Sequence, residues 1–297
     1  MIKKSVSSFL FGNFMENIYN RQRVIIVKNT RKGMLFIILS AFFFAGMNIF
    51  VKLSGNLPSI QKSFFRNLIA ALFAFVILVK NHEDFQYHKK DLPMLILRST
   101  FGTLGILCNF YAVDHLLVSD ASMLNKLSPF FVIIFSSFFL KEKVNHIQRI
   151  SVIIAFIGSL FVIKPSLDFM SNMNSIIGVL GALGAGVAYT CVRQLGKQGV
   201  SNAKIVFFFS CFSCIVVLPY ILFHYTPMTL QQLLLLFGAG LMAAGGQFSV
   251  TAAYTYAPGK EISVFDYTQV IFAALLGFVF LNQIPDVLSV IGYIIII

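Results

Sequence analysis

Two short polar stripes interrupt apolar stretches of this 297-residue chain. Ser122, Asn125, Lys126 and Pro129 stand at i, i+3, i+4 and i+7, so they share one face of a helix. Ser263, Asp266, Tyr267 and Val270 repeat that spacing 141 residues later. One stripe carries a cation, the other an anion. A charge inside hydrocarbon is costly and as a rule faces a cavity or a partner. Lys126 and Asp266 are therefore expected to take opposite charges of a polar or zwitterionic small molecule, with Asn125 and Tyr267 beside them. A structural pair that neutralises itself is the other reading. The two are compatible, because a substrate can compete for an existing pair. Asp266 is the only acid well inside an apolar stretch, so any proton coupling is expected to use it.

Further polar residues lie on neighbouring stretches. Asn48 and Tyr189 occupy equivalent places in the two halves and are candidate substrate-binding residues. Lys52 and Arg193, four residues on, are expected to snorkel to headgroups. Gln247 forms a stripe with Thr251 and Tyr254, and either lines a cavity or bridges two helices. Arg66 and Arg98 each lie about six residues inside an apolar stretch. They read as partners of lipid phosphates or as structural anchors, with Arg66 also a candidate cavity-lining residue. Glu142 reads as a structural residue at a membrane boundary.

No metal centre or cofactor is expected. Cys211-x-x-Cys214 has no second pair, and all five histidines fall at loops or at the ends of apolar stretches. Gly178, Gly181, Gly184 and Gly186 follow no strand, so a dinucleotide loop is excluded. Spaced glycines on an apolar helix instead let backbones approach. Gly102, Gly105, Gly245 and Gly246 have the same packing role, with close sliding contacts as a second possibility.

The elements that must position these groups are membrane helices. Hydrophobic residues make up 58% of the chain, charged residues 11%, and mean hydropathy is +0.84. Ten apolar stretches can be drawn, near 33–53, 60–79, 92–113, 118–140, 147–164, 175–195, 202–223, 229–257, 260–281 and 286–297. A self-shift of 141 residues aligns Gly105–Phe156 with Gly246–Ile297 at nine identities in 52 positions. That period holds about five spans at roughly 28 residues each, and an odd number inverts the second copy. The chain is thus expected to be an all-α integral membrane protein of ten transmembrane helices, built as two inverted five-helix repeats over 33–165 and 174–297. A basic extension, 1–32, precedes them. It reads either as a cytoplasmic segment on the inner leaflet or as an upstream start not used in the cell. The last stretch, Asp286–Ile297, covers about 18 Å as helix against a hydrocarbon core of about 30 Å. The tenth helix is therefore expected to be truncated.

The net charge of +12 does not mark a nucleic-acid binder. With a cytoplasmic N-terminus, seventeen Lys and Arg fall on the inner side and only Lys52, Lys62 and Lys164 on the outer. No basic cluster interleaves with aromatics in a soluble domain. The partners implied are a small-molecule substrate and the lipid bilayer, and the chain suits a monomer or a homodimer.

The run Phe64-Phe65-Arg66-Asn67-Leu68-Ile69-Ala70, then Tyr111-Ala112, Leu124 to Pro129, and Phe139-Leu140-Lys141-Glu142-Lys143 resembles the EamA-type drug/metabolite transporter superfamily. The resemblance rests on Arg66, Pro129 and Glu142 and covers 33–297. The second half departs from it, with Val270 and Gln283 in place of Pro129 and Glu142. The resemblance implies ten helices in inverted repeats, cytoplasmic termini and a central cavity. The expected function is a secondary active or facilitative transporter. It would move a small polar or zwitterionic, amino-acid-like metabolite by alternating access, as an exporter in a bacterial-type cytoplasmic membrane. A multidrug or organic-cation exporter is the alternative. A membrane scaffold or enzyme is less well supported, since neither a soluble domain nor a catalytic cluster is recognisable. ATP-driven transport by this chain alone is not expected, because no nucleotide-binding cassette is recognisable.

Overall fold

A computed structural model describes residues 29–115, 124–163, 173–282 and 285–296. The N-terminal extension up to Lys28 lies outside the described residues, as do Ser122 and Gln283. All regular structure among the described residues is helical. We number the helices α1 (Asn29–Leu53), α2 (Ser59–Lys80), α3 (Leu92–His115), α4 (Ser128–Phe139), α5 (His146–Ile163), α6 (Met173–Lys197), α7 (Asn202–Phe223), α8 (Leu230–Tyr256), α9 (Gly259–Leu281) and α10 (Val287–Ile296). Seven of these (α1, α2, α3, α6, α7, α8 and α9) are long and apolar enough to cross a membrane, whereas α4, α5 and α10 are shorter apolar helices.

Local chemistry sets the helix limits. Ser201 caps α7 by accepting from the Lys204 N–H at 3.3 Å. Thr229 and Gln232 form a reciprocal box at the start of α8: the Gln232 N–H donates to Thr229 Oγ1 at 3.2 Å and the Thr229 N–H to Gln232 Oε1 at 3.0 Å. Asn145 and Gln148 exchange the same two bonds at the start of α5. Such caps occupy N–H groups that a helix leaves unpaired. At the far ends of α4 and α9 the chain turns through left-handed residues, Lys141 (φ 53°) and Asn282 (φ 52°), which stand 141 positions apart.

Two helices are interrupted in mid-course. Around α4 a helical Leu124-Asn125 gives way to a turn at Lys126-Leu127 before the helix resumes at Ser128. Pro129 sits in that first turn, where its missing N–H costs nothing and its fixed φ suits a helix start. In α9 the helix tightens to 3₁₀ geometry over Ser263–Tyr267 before continuing as Thr268–Leu281. The span expected over 118–140 is thus broken at its polar stripe, and so is its counterpart.

The helices pack as a bundle. The most extensive contacts are α3 on α6, α2 on α7, α5 on α10 and α2 on α8, followed by α4 on α6, α3 on α7 and α6 on α8. One buried cluster, around Ile37, Leu95, Val192, Leu195, Val250 and Ile262, joins α1, α3, α6, α8 and α9. Long apolar side chains such as Ile215, Leu222, Phe223 and Phe237 face outward. Exposed apolar flanks around a core holding polar residues are what a lipid-facing bundle requires.

Candidate functional site

The two interruptions meet. Lys126 Nζ donates to Gln269 Oε1 at 2.7 Å, to Asp266 Oδ2 at 3.1 Å and to the Asp266 main-chain oxygen at 3.3 Å. All three N–H groups of the ammonium are engaged, so a substrate anion reaching Lys126 must displace one of these acceptors. The Lys126 side chain is 8% exposed, but the Asp266 carboxylate retains 20%. The acid is therefore the more approachable partner. The Tyr267 hydroxyl is buried and donates to the Lys126 carbonyl at 2.7 Å. Lys126 and Tyr267 are 141 residues apart, the shift that superposes the two polar stripes.

Aromatic and cationic groups surround the pair. Tyr189 of α6 stacks on Tyr254 of α8, with centroids 4.8 Å apart and planes 12° from parallel. The Tyr189 hydroxyl lies within electrostatic range of Asp266, Arg98 and Arg66, and Tyr254 within range of Asp266. Lys126, Asp266, Tyr267 and Tyr189 are thus gathered into one region, with Arg66 at its edge. Asn125 is half-buried beside the pair. Asn48 is exposed on α1 and Gln247 is buried, its amide donating within its own helix to Thr251 Oγ1 at 3.3 Å. Neither is bonded to the Lys126 cluster among the described residues.

Sequence reading passed over Gln269, which accepts the shortest of the Lys126 bonds. Its signal was a lone amide one turn beyond Asp266. Arg66 and Arg98 are 8% and 2% exposed, so their side chains are buried within the bundle and do not snorkel out of it. Arg193 does not snorkel either: its Nε donates to Glu142 Oε1 at 3.3 Å and its Nη1 to the Thr255 carbonyl at 2.9 Å. Glu142 also accepts from Lys197 at 3.0 Å. The end of α4 is thereby tied to the ends of α6 and α8, the structural role expected of Glu142. Its side chain is 10% exposed, against 15% for Arg193 and 38% for Lys197. Glu142→Gln should cost about 2–4 kcal/mol, somewhat under the loss for one partner of a fully buried pair. Lys197→Gln should cost less than about 1 kcal/mol, as for a surface ion pair. Thermal unfolding in detergent should rank them in that order, and equal losses would contradict the assignment.

Among the described residues no group of three or more His, Cys, Asp or Glu side chains is placed to hold a metal ion.

The profile of the EamA-like transporter family matches the chain twice, over residues 31–164 and 173–297. The pseudopaline exporter of Pseudomonas aeruginosa strain UCBPP-PA14 is 30% identical over 269 residues, covering 90% of this chain and 94% of that protein. Human solute carrier family 35 member G1 is 25% identical over 268 residues, covering 85% of this chain and 73% of that one. A solved crystal structure superposes with a TM-score of 0.77 over 89% of this chain and 94% of its own, at 13% identity, so that the fold is shared.

Proposed function

We infer that this chain, which belongs to the EamA-like transporter family and is therefore a multi-pass membrane transporter rather than an enzyme, carries a small polar or zwitterionic metabolite by alternating access around the Lys126–Asp266 pair. The observation that carries the reading is the position of that pair. It sits where two interrupted helices meet, and such breaks place unpaired main-chain groups and helix ends at the substrate sites of inverted-repeat transporters. Lys126 would hold a substrate carboxylate and Asp266 an ammonium. Asn125, Gln269, Tyr189 and Tyr267 would line the site, while Asn48 and Gln247 would join it only in another conformation.

Several observations support two inverted five-helix repeats, over 33–165 and 174–297. Exchanging α1–α5 with α6–α10 maps α2·α8 onto α7·α3 and leaves α2·α7 and α5·α10 unchanged. It maps α3·α6 onto α8·α1, a contact made where Gly238 meets the Phe50 ring and Gly46 meets Met242. The left-handed residues Lys141 and Asn282 obey the same shift. Equivalent residues that touch, as Lys126 and Tyr267 do, must lie beside the axis relating the halves. The site would thus be shared equally by both, and rocking of one half against the other would open it to each side in turn.

The basic inner segments support a cytoplasmic N-terminus in a bacterial-type cytoplasmic membrane. The name of the Pseudomonas aeruginosa relative supports export as the direction. An organic-cation exporter is less well supported, because Asp266 is already compensated by Lys126.

Flux of radiolabelled amino acids and organic cations through proteoliposomes, with and without a pH gradient, tests the reading. Saturable movement of a zwitterion is expected, with gradient dependence if Asp266 carries a proton. Saturable movement of organic cations alone would overturn it.

A further inference from the structure

Resting on that transport reading, the buried charges go further and indicate the charge of the substrate. Among the described Lys and Arg residues, three are buried: Arg66, Arg98 and Lys126. Lys126 is matched by Asp266. The two arginines are not matched. Arg66 Nε and Nη1 and Arg98 Nε are buried without a hydrogen-bond partner, and neither residue has an ion pair among the described residues. Asp91, two turns before Arg98 on the same side of the chain, leaves its own Oδ1 unpartnered, so it is not the counterion.

What these guanidinium groups do touch is aromatic. Arg98 Cζ lies 3.7 Å from the centroid of the Phe209 ring, and Arg66 Cζ lies 5.8 Å from that of Phe44. A ring face attracts the cation but accepts no N–H in the guanidinium plane, so the donor edge stays available. Space has been left for this arrangement: a Cβ on Gly102 would strike Arg98 and come within 2.9 Å of the Phe209 ring. Arg66 is seven residues into α2 and Arg98 six into α3, about 10 and 9 Å from opposite ends of the bundle. Both guanidinium groups and the Asp266 carboxylate act electrostatically on the Tyr189 hydroxyl. Guanidinium groups without a counterion suit carboxylates, which they grip through two parallel N–H bonds.

We propose that Arg66 and Arg98 form an anion subsite beside the Lys126–Asp266 pair, and that the transported metabolite carries two or more carboxylates and a net negative charge. With three cations facing one acid, a neutral zwitterion leaves the arginines bare, whereas a di- or tricarboxylate satisfies them.

The full chain, purified in detergent, is titrated with glycine, glutamate and citrate, and separately with phosphatidylglycerol, while thermal unfolding is followed. Glutamate and citrate should raise the melting temperature saturably, and glycine should act at least about tenfold more weakly. One lost bidentate contact corresponds to about tenfold or more in affinity. Arg66→Gln and Arg98→Gln should weaken citrate by that factor and leave the glycine response alone. Should a Gln variant not fold, Arg66→Lys and Arg98→Lys decide: they keep the charge, lose the fork, and should narrow the preference for citrate over glycine. Equal citrate binding by parent and variants overturns the subsite, as does stabilisation by phosphatidylglycerol with none by citrate, which would assign the arginines to lipid. Glycine flux in liposomes that depends on Lys126 but ignores carboxylates leaves the transport reading standing and removes this one. If solutes of neither class move, both fall.

Discussion

Lys126→Met is expected to reduce transport at least about 100-fold while the protein still reaches the membrane. Met matches the length and apolar stem of lysine but removes the ammonium that holds Asp266 and Gln269. Losing a group that bears on the transported charge at more than about 2.7 kcal/mol corresponds to that factor. A fall in transport alone would not separate a binding residue from a structural one, because the change also leaves the part-buried Asp266 beside an apolar side chain. Breaking one partner of a buried pair costs about 3–5 kcal/mol, and Asp266, 20% exposed, should sit at the lower end. The double variant Lys126→Met/Asp266→Asn removes both charges and should recover most of that stability. It should not recover transport if the pair meets the substrate. Unfolding temperature and proteoliposome flux, measured on the two singles and the double, thus give opposite patterns for the two roles. Recovery of both in the double would make the pair purely structural.

The parts of this arrangement that were legible in the sequence are those governed by period and by charge. Spacing of i, i+3, i+4 and i+7 picked out the polar stripe that holds Asn125 and Lys126, and the 141-residue shift found the corresponding stripe at Asp266 and Tyr267. Neither needed a view of distant packing. The helix breaks were less legible. Pro129 hinted at a restart in the first half, but Ser263–Tyr267 contains no proline or glycine, and its 3₁₀ geometry coincides with hydrogen bonds from Lys126 to the Asp266 carbonyl and from Tyr267 to the Lys126 carbonyl. Arg193 was misread because a cation near a helix end ordinarily snorkels, whereas its partner Glu142 stands 51 positions away and is brought in only by tertiary packing. Gln247 and Asn48 show a different limit. A polar residue on an apolar helix announces that something satisfies it, without saying whether that is a cavity, a neighbour or its own helix. Gln247 turned out to bond Thr251 one turn along.

Gly184→Val should be the most damaging single change for folding, costing about 3 kcal/mol or more and leaving little monodisperse protein in detergent. The reason lies in what surrounds the added atoms. A Cβ at Gly184 would come within 2.8 Å of the Phe101 carbonyl oxygen and 3.1 Å of Gly105 Cα, and one at Gly105 would meet Gly181 O at 3.1 Å and Ala185 N at 3.2 Å. These neighbours are backbone and cannot rotate aside, so α3 and α6 must separate. Overpacking usually costs about 1–3 kcal/mol, and the upper end applies where no flexible group can give way. Gly46 is the control: its Cβ would meet only the end of Met242, at 3.3 Å or more, and Gly46→Ala should cost less than about 1 kcal/mol. Gly184→Ala asks a finer question of the same contact. Helix α3 carries Arg98 and α6 carries Tyr189, so a wedge here widens the region around the ion pair. If this contact only packs, flux should fall in proportion to the folded fraction measured by size exclusion. If α3 and α6 slide during transport, flux per folded molecule should fall as well, because the wedge raises the barrier between conformations in a protein that still folds.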